Sequence, residues 1–227
     1  MAQLTHQQVA KLIDHAVLKP QVTRDELKKE IETCIKYHTA SVCVRSCDVA
    51  FAHELLKDTD VLTCTVIGFP SGMQSTEAKV AETLQAIRDG AEEVDMVLKI
   101  GLLVGGQYDE VKDDIQRVCN AAHDKGAKLK VIFECCYLNS EQIAKACEIC
   151  NEVGVDFIKT STGFGTGGAK PEDVALMRKL ALPSIGVKAS GGIHNLDELM
   201  TFVDLGATRI GASATEKLVN EAIERGL

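Results

Sequence analysis

The sequence is short of positive charge. Its 25 Lys and Arg stand against 33 Asp and Glu, a formal net charge of -8. A surface of that sign repels polyphosphate backbones and anionic lipid, which argues against nucleic-acid and membrane partners. No stretch approaches the roughly 18 consecutive apolar residues that cross a bilayer. The opening MAQLTHQQVAKLIDHAVLKP lacks a basic segment followed by an apolar one, so no secretory signal is expected and a cytoplasmic location is. Linkers, low-complexity tracts and blocks of like charge are also missing, and residues 1–227 are expected to form one domain.

The cysteines lack the pattern of a framework. There are nine, an odd number, and Cys43, Cys64 and Cys135 fall in apolar strand-like runs, where a free thiol acts as a small hydrophobe. Cys147 and Cys150 form a CxxC inside a predicted helix, with no second ligand pair nearby. A structural zinc site asks for four well-spaced ligands, so no metal is expected, and a reducing compartment accounts for the thiols.

What the chain does have is alternation. Ser/Thr-x-x-Glu/Gln spacings at Thr5–Gln8 and Thr23–Glu26, and Asn139 with Gln142, mark helix starts. Asp48 and Asn195 are expected to cap further helices. Between the predicted helices lie apolar runs such as Leu62–Phe69, Glu93–Ile100 and Lys128–Cys135, the last ending on Glu134. Residues 101–106 read as a glycine-containing loop. Strand then helix, repeated about eight times with short connections, means a parallel sheet, open or closed. Two features favour a single-domain (β/α)₈ barrel with a short N-terminal helix ahead of it. The chain length suits the compact end of that fold, and polar residues gather at the carboxyl ends of strands.

Among those residues two lysines stand out. Lys159 lies in FIKTSTGF and Lys188 in IGVKASGGI, each inside an apolar strand and each followed by small polar residues and glycine. One such lysine reads as a long stem that carries its ammonium out to water. Two aimed at one place are expected to lower each other's pKa, which is a way to make a nucleophilic amine. Asp95 sits among Val94, Met96 and Val97, either as a structural hydrogen-bond hub or as a catalytic carboxylate. Asp14 reads equally as a turn residue or as a carboxylate placed at a strand end.

Gly163, Gly165 and Gly168 satisfy GxGxxG, but on a late βα turn and without the acidic residue that the dinucleotide fingerprint needs. Ala169 stands where a phosphate-loop lysine would be. A different grouping is more informative. Gly163, the pair Gly191 and Gly192, and Gly211 end the last three strands, and Ser213 adds a hydroxyl near a helix start. Backbone N–H groups exposed by small residues there would suit a phosphate, although each glycine alone could simply end a strand.

With these residues in hand, the chain resembles the 2-deoxyribose-5-phosphate aldolases, a family of class I, Schiff-base lyases. The likeness rests on IDH–LKP at 13–20, TVIGFPSG at 65–72, EVDMV at 93–97, FIKTSTGF at 157–164, KASGGI at 188–193 and ATRIGAS at 207–213. The resemblance implies a (β/α)₈ barrel that cleaves 2-deoxy-D-ribose 5-phosphate into acetaldehyde and D-glyceraldehyde 3-phosphate, in deoxyribose phosphate catabolism. It implies Lys159 as the Schiff-base lysine, Lys188 as the second lysine and Asp95 as the acid/base, with Asp14 in the supporting network. Gly163, Gly191, Gly192, Gly211 and Ser213 would surround the substrate phosphate. It further implies no cofactor, and a homodimer or homotetramer. Ala16, Lys99, Lys170 and His194 depart from the family's usual residues. The rival readings are a Schiff-base aldolase of another sugar phosphate and a non-catalytic sugar-phosphate binder.

Overall fold

Side chains on a strand point alternately to opposite faces, and this chain uses that alternation to separate two interiors. In β4 (Glu93–Val97), Val94 and Met96 pack outward under helices while Glu93 and Asp95 point the other way. The same split recurs in β5 (Lys128–Ile132), β6 (Phe157–Lys159) and β7 (Gly186–Ser190). There Leu129, Val131, Ile158, Val187 and Ala189 join the apolar layer, and Lys130, Lys159 and Lys188 do not. A computed structural model describes residues 4–227 and shows the cause. With β1 (Ile13–Val17), β2 (Ser41–Val44), β3 (Leu62–Ile67) and β8 (Arg209–Ala212), these strands pair in parallel in chain order and close into a barrel. Ile13 pairs with Ile210 across the seam.

Helices α1 (His6–Lys11), α2 (Arg24–Tyr37), α3 (Val49–Leu56), α4 (Thr76–Arg88), α5 (Ile100–Val104) and α6 (Tyr108–His123) are followed by four more. These are α7 (Ser140–Val153), α8 (Pro171–Leu180), α9 (Leu196–Asp204) and α10 (Thr215–Glu224). Helix α1 precedes the first strand and packs on α10. The expected capping boxes close reciprocally at Thr5, Thr23 and Asn139. Pro171 takes the first turn of α8, where its missing N–H costs no hydrogen bond. Ile115, Val118 and Ala122 of α6 and Ile143 and Ala146 of α7 are fully or almost fully buried against the strands. Burying each such Val or Ile contributes about 1.5–3 kcal/mol, so the helical layer is held by this apolar shell.

Three local expectations are corrected. Residues 101–106 are not a plain loop, because α5 occupies 100–104 and packs Leu103 into the core. Asp48 precedes α3 but makes no side-chain capping bond; its carboxylate is taken by Arg45 Nε at 2.6 Å and Arg24 Nη2 at 3.4 Å. Strand β5 stops at Ile132, so Glu134 lies beyond the strand, in a left-handed backbone conformation.

Candidate active site

The inward residues of the barrel form a buried ionic network. Asp95 is fully buried, and its Oδ2 lies 2.8 Å from both Lys159 Nζ and Lys188 Nζ. Its Oδ1 accepts from Lys130 Nζ at 2.8 Å and lies 3.3 Å from Cys64 Sγ. Asp14 binds Ser41 Oγ at 2.6 Å, Arg209 Nη1 at 2.5 Å and Lys188 Nζ at 2.6 Å. Glu93 completes the set with Lys130 at 2.6 Å and Arg209 at 3.0 Å. The register explains the convergence: Lys159 pairs with Lys188, Lys188 with Arg209, and Asp95 with Lys130 on adjacent strands.

The electrostatics revise one expectation. Burial works against charge on Asp95, but Lys130, Lys159 and Lys188 outweigh it and hold the carboxyl well below the usual carboxylate range. Asp14 is depressed in the same way, its burial outweighed by Lys188, Lys130 and Arg209. Lys188 was expected to be lowered by its neighbouring amine. Instead its pKa is raised above the ordinary 10.5, because Asp14 and Asp95 overcome the burial that opposes its charge. Lys188 is thus a fixed ammonium. Asp14, Glu93 and Asp95 face Lys130, Lys159, Lys188 and Arg209, so one basic side chain exceeds the local anions. Lys159, at the carboxyl end of β6, touches a single carboxylate oxygen of this set.

The glycine group opens beside this network. Gly163, Gly191, Gly192, Gly211 and Ser213 line one cavity of about 210 Å³, with Ala16, Lys19 and His194 among its other walls. Gly211 has no room for a side chain, since a Cβ there would fall 2.3 Å from Ser190 Oγ and 3.2 Å from Lys188 Cε. Gly211 and Ser190 therefore stand between the cavity they line and Lys188. The last GxGxxG glycine serves packing between loops: Ala169 N–H donates to Gly191 O at 3.1 Å, and a Cβ on Gly168 would fall 2.3 Å from that oxygen. Of the departures noted, Ala16 and His194 lie at this cavity, while Lys99 donates to Thr76 Oγ1 at 2.8 Å on the far side of β4. Lys170 precedes α8 as its N-cap residue and makes no side-chain capping bond.

Sequence reasoning missed Lys130, Glu93 and Arg209. Lys130 carried the same signal as the two lysines singled out, a cation within an apolar strand. Cys147 and Cys150 are buried in α7, and burial pushes the Cys147 thiol up to about 12. Cys43, Cys64 and Asp95 bring ligand atoms within 4.8 Å of one another, but the Lys130 ammonium lies 3.4 Å from Cys64 Sγ and opposes a second cation there.

The structure is a (β/α)₈ barrel whose interior sets two lysines on one carboxylate oxygen, next to a glycine-walled cavity. Residues 8–220 match the DeoC/LacD family aldolases. A deoxyribose-phosphate aldolase of Caldanaerobacter subterraneus subsp. tengcongensis is 51% identical over 220 residues, spanning 96% of this chain and 95% of that one. One from Enterococcus faecalis is 51% identical over 216 residues, covering 95% and 98%. The solved tetrameric deoxyribose phosphate aldolase of Aeropyrum pernix superposes with a TM-score of 0.90 at 28% identity, covering 98% of this chain and 94% of that one. The chain belongs to the DeoC/LacD family of aldolases.

Proposed function

We propose that this chain catalyses the reversible aldol cleavage of 2-deoxy-D-ribose 5-phosphate to acetaldehyde and D-glyceraldehyde 3-phosphate through a Schiff base on Lys159. The observation that carries the reading is the shared Asp95 oxygen, 2.8 Å from each lysine. Lys159 acts as the nucleophile, in the free-amine form that addition to a carbonyl requires. Its nitrogen adds to the open-chain aldehyde carbon, C1, and the resulting carbinolamine loses water to give an iminium. Lys188, held as an ammonium, is suited to protonate the departing hydroxyl. A base then takes the C3 hydroxyl proton, the C2–C3 bond breaks, and its electron pair moves toward the iminium nitrogen as an enamine. Glyceraldehyde 3-phosphate leaves. Protonation of the enamine at C2 and hydrolysis by water release acetaldehyde and restore the amine. In this reading Asp95, bonded to both lysines, passes these protons, with water completing the reach.

Asp14 supports this role by holding Lys188 at 2.6 Å as a second carboxylate partner. The cavity walled by Gly163, Gly191, Gly192, Gly211 and Ser213 suits the substrate phosphate, where backbone N–H groups can approach closely. The scheme uses side chains alone. A homo-oligomeric state, dimer or tetramer, is supported by the tetrameric Aeropyrum pernix relative. A cytoplasmic location is supported by nine free cysteines, which suit a reducing compartment. No helix among the described residues is long and apolar enough to cross a membrane. The test is borohydride reduction in the presence of acetaldehyde, followed by peptide mapping. An ethyl group is expected on Lys159. Its appearance mainly on Lys188 would exchange the two roles, and no adduct under turnover conditions would end the Schiff-base reading.

A further inference from the structure

Among the described residues, two that are not glycine hold a left-handed backbone, His38 at φ 55° and Glu134 at φ 56°. His38 has an ordinary reason, because it terminates α2, where such a residue commonly ends a helix. Glu134 ends no helix. It lies between β5 and a short 3₁₀ turn at Cys135–Tyr137. Glycine would adopt this conformation without strain, so a glutamate there points to a use for the side chain.

That side chain is 1% exposed, and its hydrogen bonds all go to one residue. Thr162 donates its backbone N–H to Glu134 Oε1 at 3.2 Å and its hydroxyl to Oε2. Thr162 Oγ1 in turn accepts from the Phe164 N–H at 3.0 Å. One buried carboxylate therefore sets the shape of residues 162–164, all of which line the cavity shared with Gly191, Gly192, Gly211 and Ser213. Gly165 closes the contact, since a Cβ there would come within 3.0 Å of Glu134 Cδ. On the outer side the Phe164 ring packs edge-on against Phe69, with centroids 5.2 Å apart.

We propose that Glu134 is a positioning residue that locks the loop after β6 into the shape that binds the anionic end of the substrate. The proposal rests on the aldolase reading for the identity of that substrate. The tether itself does not depend on it. Glu134 touches no reacting atom in this account; it acts through Thr162 and Gly163.

The decisive variant is Glu134→Gly, which suits the left-handed backbone and deletes the carboxylate. It should fold with a Tm close to that of the native protein, the relieved backbone offsetting the hydrogen bonds lost to Thr162. Its KM for 2-deoxyribose 5-phosphate should rise about tenfold, the loss of roughly one charge-assisted hydrogen bond. The change in kcat should be small, and KM for unphosphorylated deoxyribose should move far less. Glu134→Gln retains a carbonyl acceptor and should restore most of the affinity. Inorganic phosphate binding by calorimetry and amide exchange at Thr162 and Phe164 read the same tether without turnover. In Glu134→Gly, phosphate should bind more weakly and those amides should exchange faster. Unchanged KM and unchanged exchange in Glu134→Gly would overturn the proposal, as would equal KM losses on both sugars. Native protein that binds phosphate through this loop but does not turn over the sugar phosphate would refute the aldolase reading and leave the tether standing.

Discussion

Lys79 and Lys188 are both buried beside carboxylates, one in the helical layer and one in the barrel. Lys79 of α4 donates to Asp114 Oδ2 at 2.6 Å and to Val97 O at 2.8 Å, bolting α4 to α6 and to the end of β4. Thr76 Oγ1, which accepts from Lys99, donates to the other Asp114 oxygen at 2.8 Å. Each of these acceptors already has its donors, and the arrangement has no need of a ligand. In the barrel, by contrast, a single oxygen of Asp95 serves two lysine side chains, beside a cavity. A buried lysine by itself does not mark a reactive site. Two amines competing for one oxygen, beside a cavity, give a proton somewhere to go.

The largest effect that tests this contrast is on turnover. Lys188→Met and Lys79→Met each delete one buried ammonium and keep most of the stem's volume. Lys188→Met should lower kcat for deoxyribose 5-phosphate cleavage by at least about 10²-fold, the lower end of general acid–base contributions. Lys79→Met should leave kcat within a few-fold in protein that is folded at the assay temperature. Steady-state rates on folded fractions decide the matter. A comparable loss in kcat from both would mean that the helical-layer pair shapes the site and that the distinction between the regions is false.

Stability should fail to separate them, which sharpens the same comparison. Both variants leave a buried carboxylate short of a cation, a change that typically costs about 3–5 kcal/mol. For a chain of this size that corresponds to a fall in Tm on the order of 10 °C. Calorimetry on both proteins should find similar losses. A much smaller loss for Lys188→Met would indicate that Lys130 and Arg209 already satisfy Asp14 and Asp95.

The eight repeating units were readable because apolar runs and capping residues are local signals, and Thr5, Thr23 and Asn139 act as their spacing suggests. Lys159, Lys188 and Asp95 were readable as charges inside apolar strands. Arg209 and Glu93 were not, because each begins its strand, where a charge ordinarily meets solvent. Only barrel closure brings Arg209 Nη1 to 3.0 Å from Glu93 Oε2. The sign of the Lys188 shift was missed for a related reason. Sequence placed a second lysine near it but could not show Asp14 arriving from β1 at 2.6 Å. Glu134 was taken as the end of a strand, since nothing in its neighbours marks a left-handed backbone.

The smallest effect lies in how each lysine responds to alkali, and here the two regions differ in sign. Burial pushes the Lys79 pKa below 10.5, and Asp114 only partly offsets it. Just below that value the unfolded chain therefore holds more protons at this position than the folded one, so raising the pH favours folding. Lys188 is raised instead, despite its burial, by Asp14 and Asp95. Its contribution is fully present below 10.5 and declines only as pH climbs beyond it toward the folded value. Urea unfolding of native, Lys79→Met and Lys188→Met proteins from about pH 8 to about pH 11 reads each lysine with the groups it touches, because groups remote from it cancel in the difference. Native stability minus that of Lys79→Met should grow as pH approaches 10.5, by about 1.4 kcal/mol for each unit of depression. The difference for Lys188→Met should stay flat over that range and shrink above it. Two differences that grow together would place Lys188 with Lys79, as a lysine whose charge the fold merely tolerates.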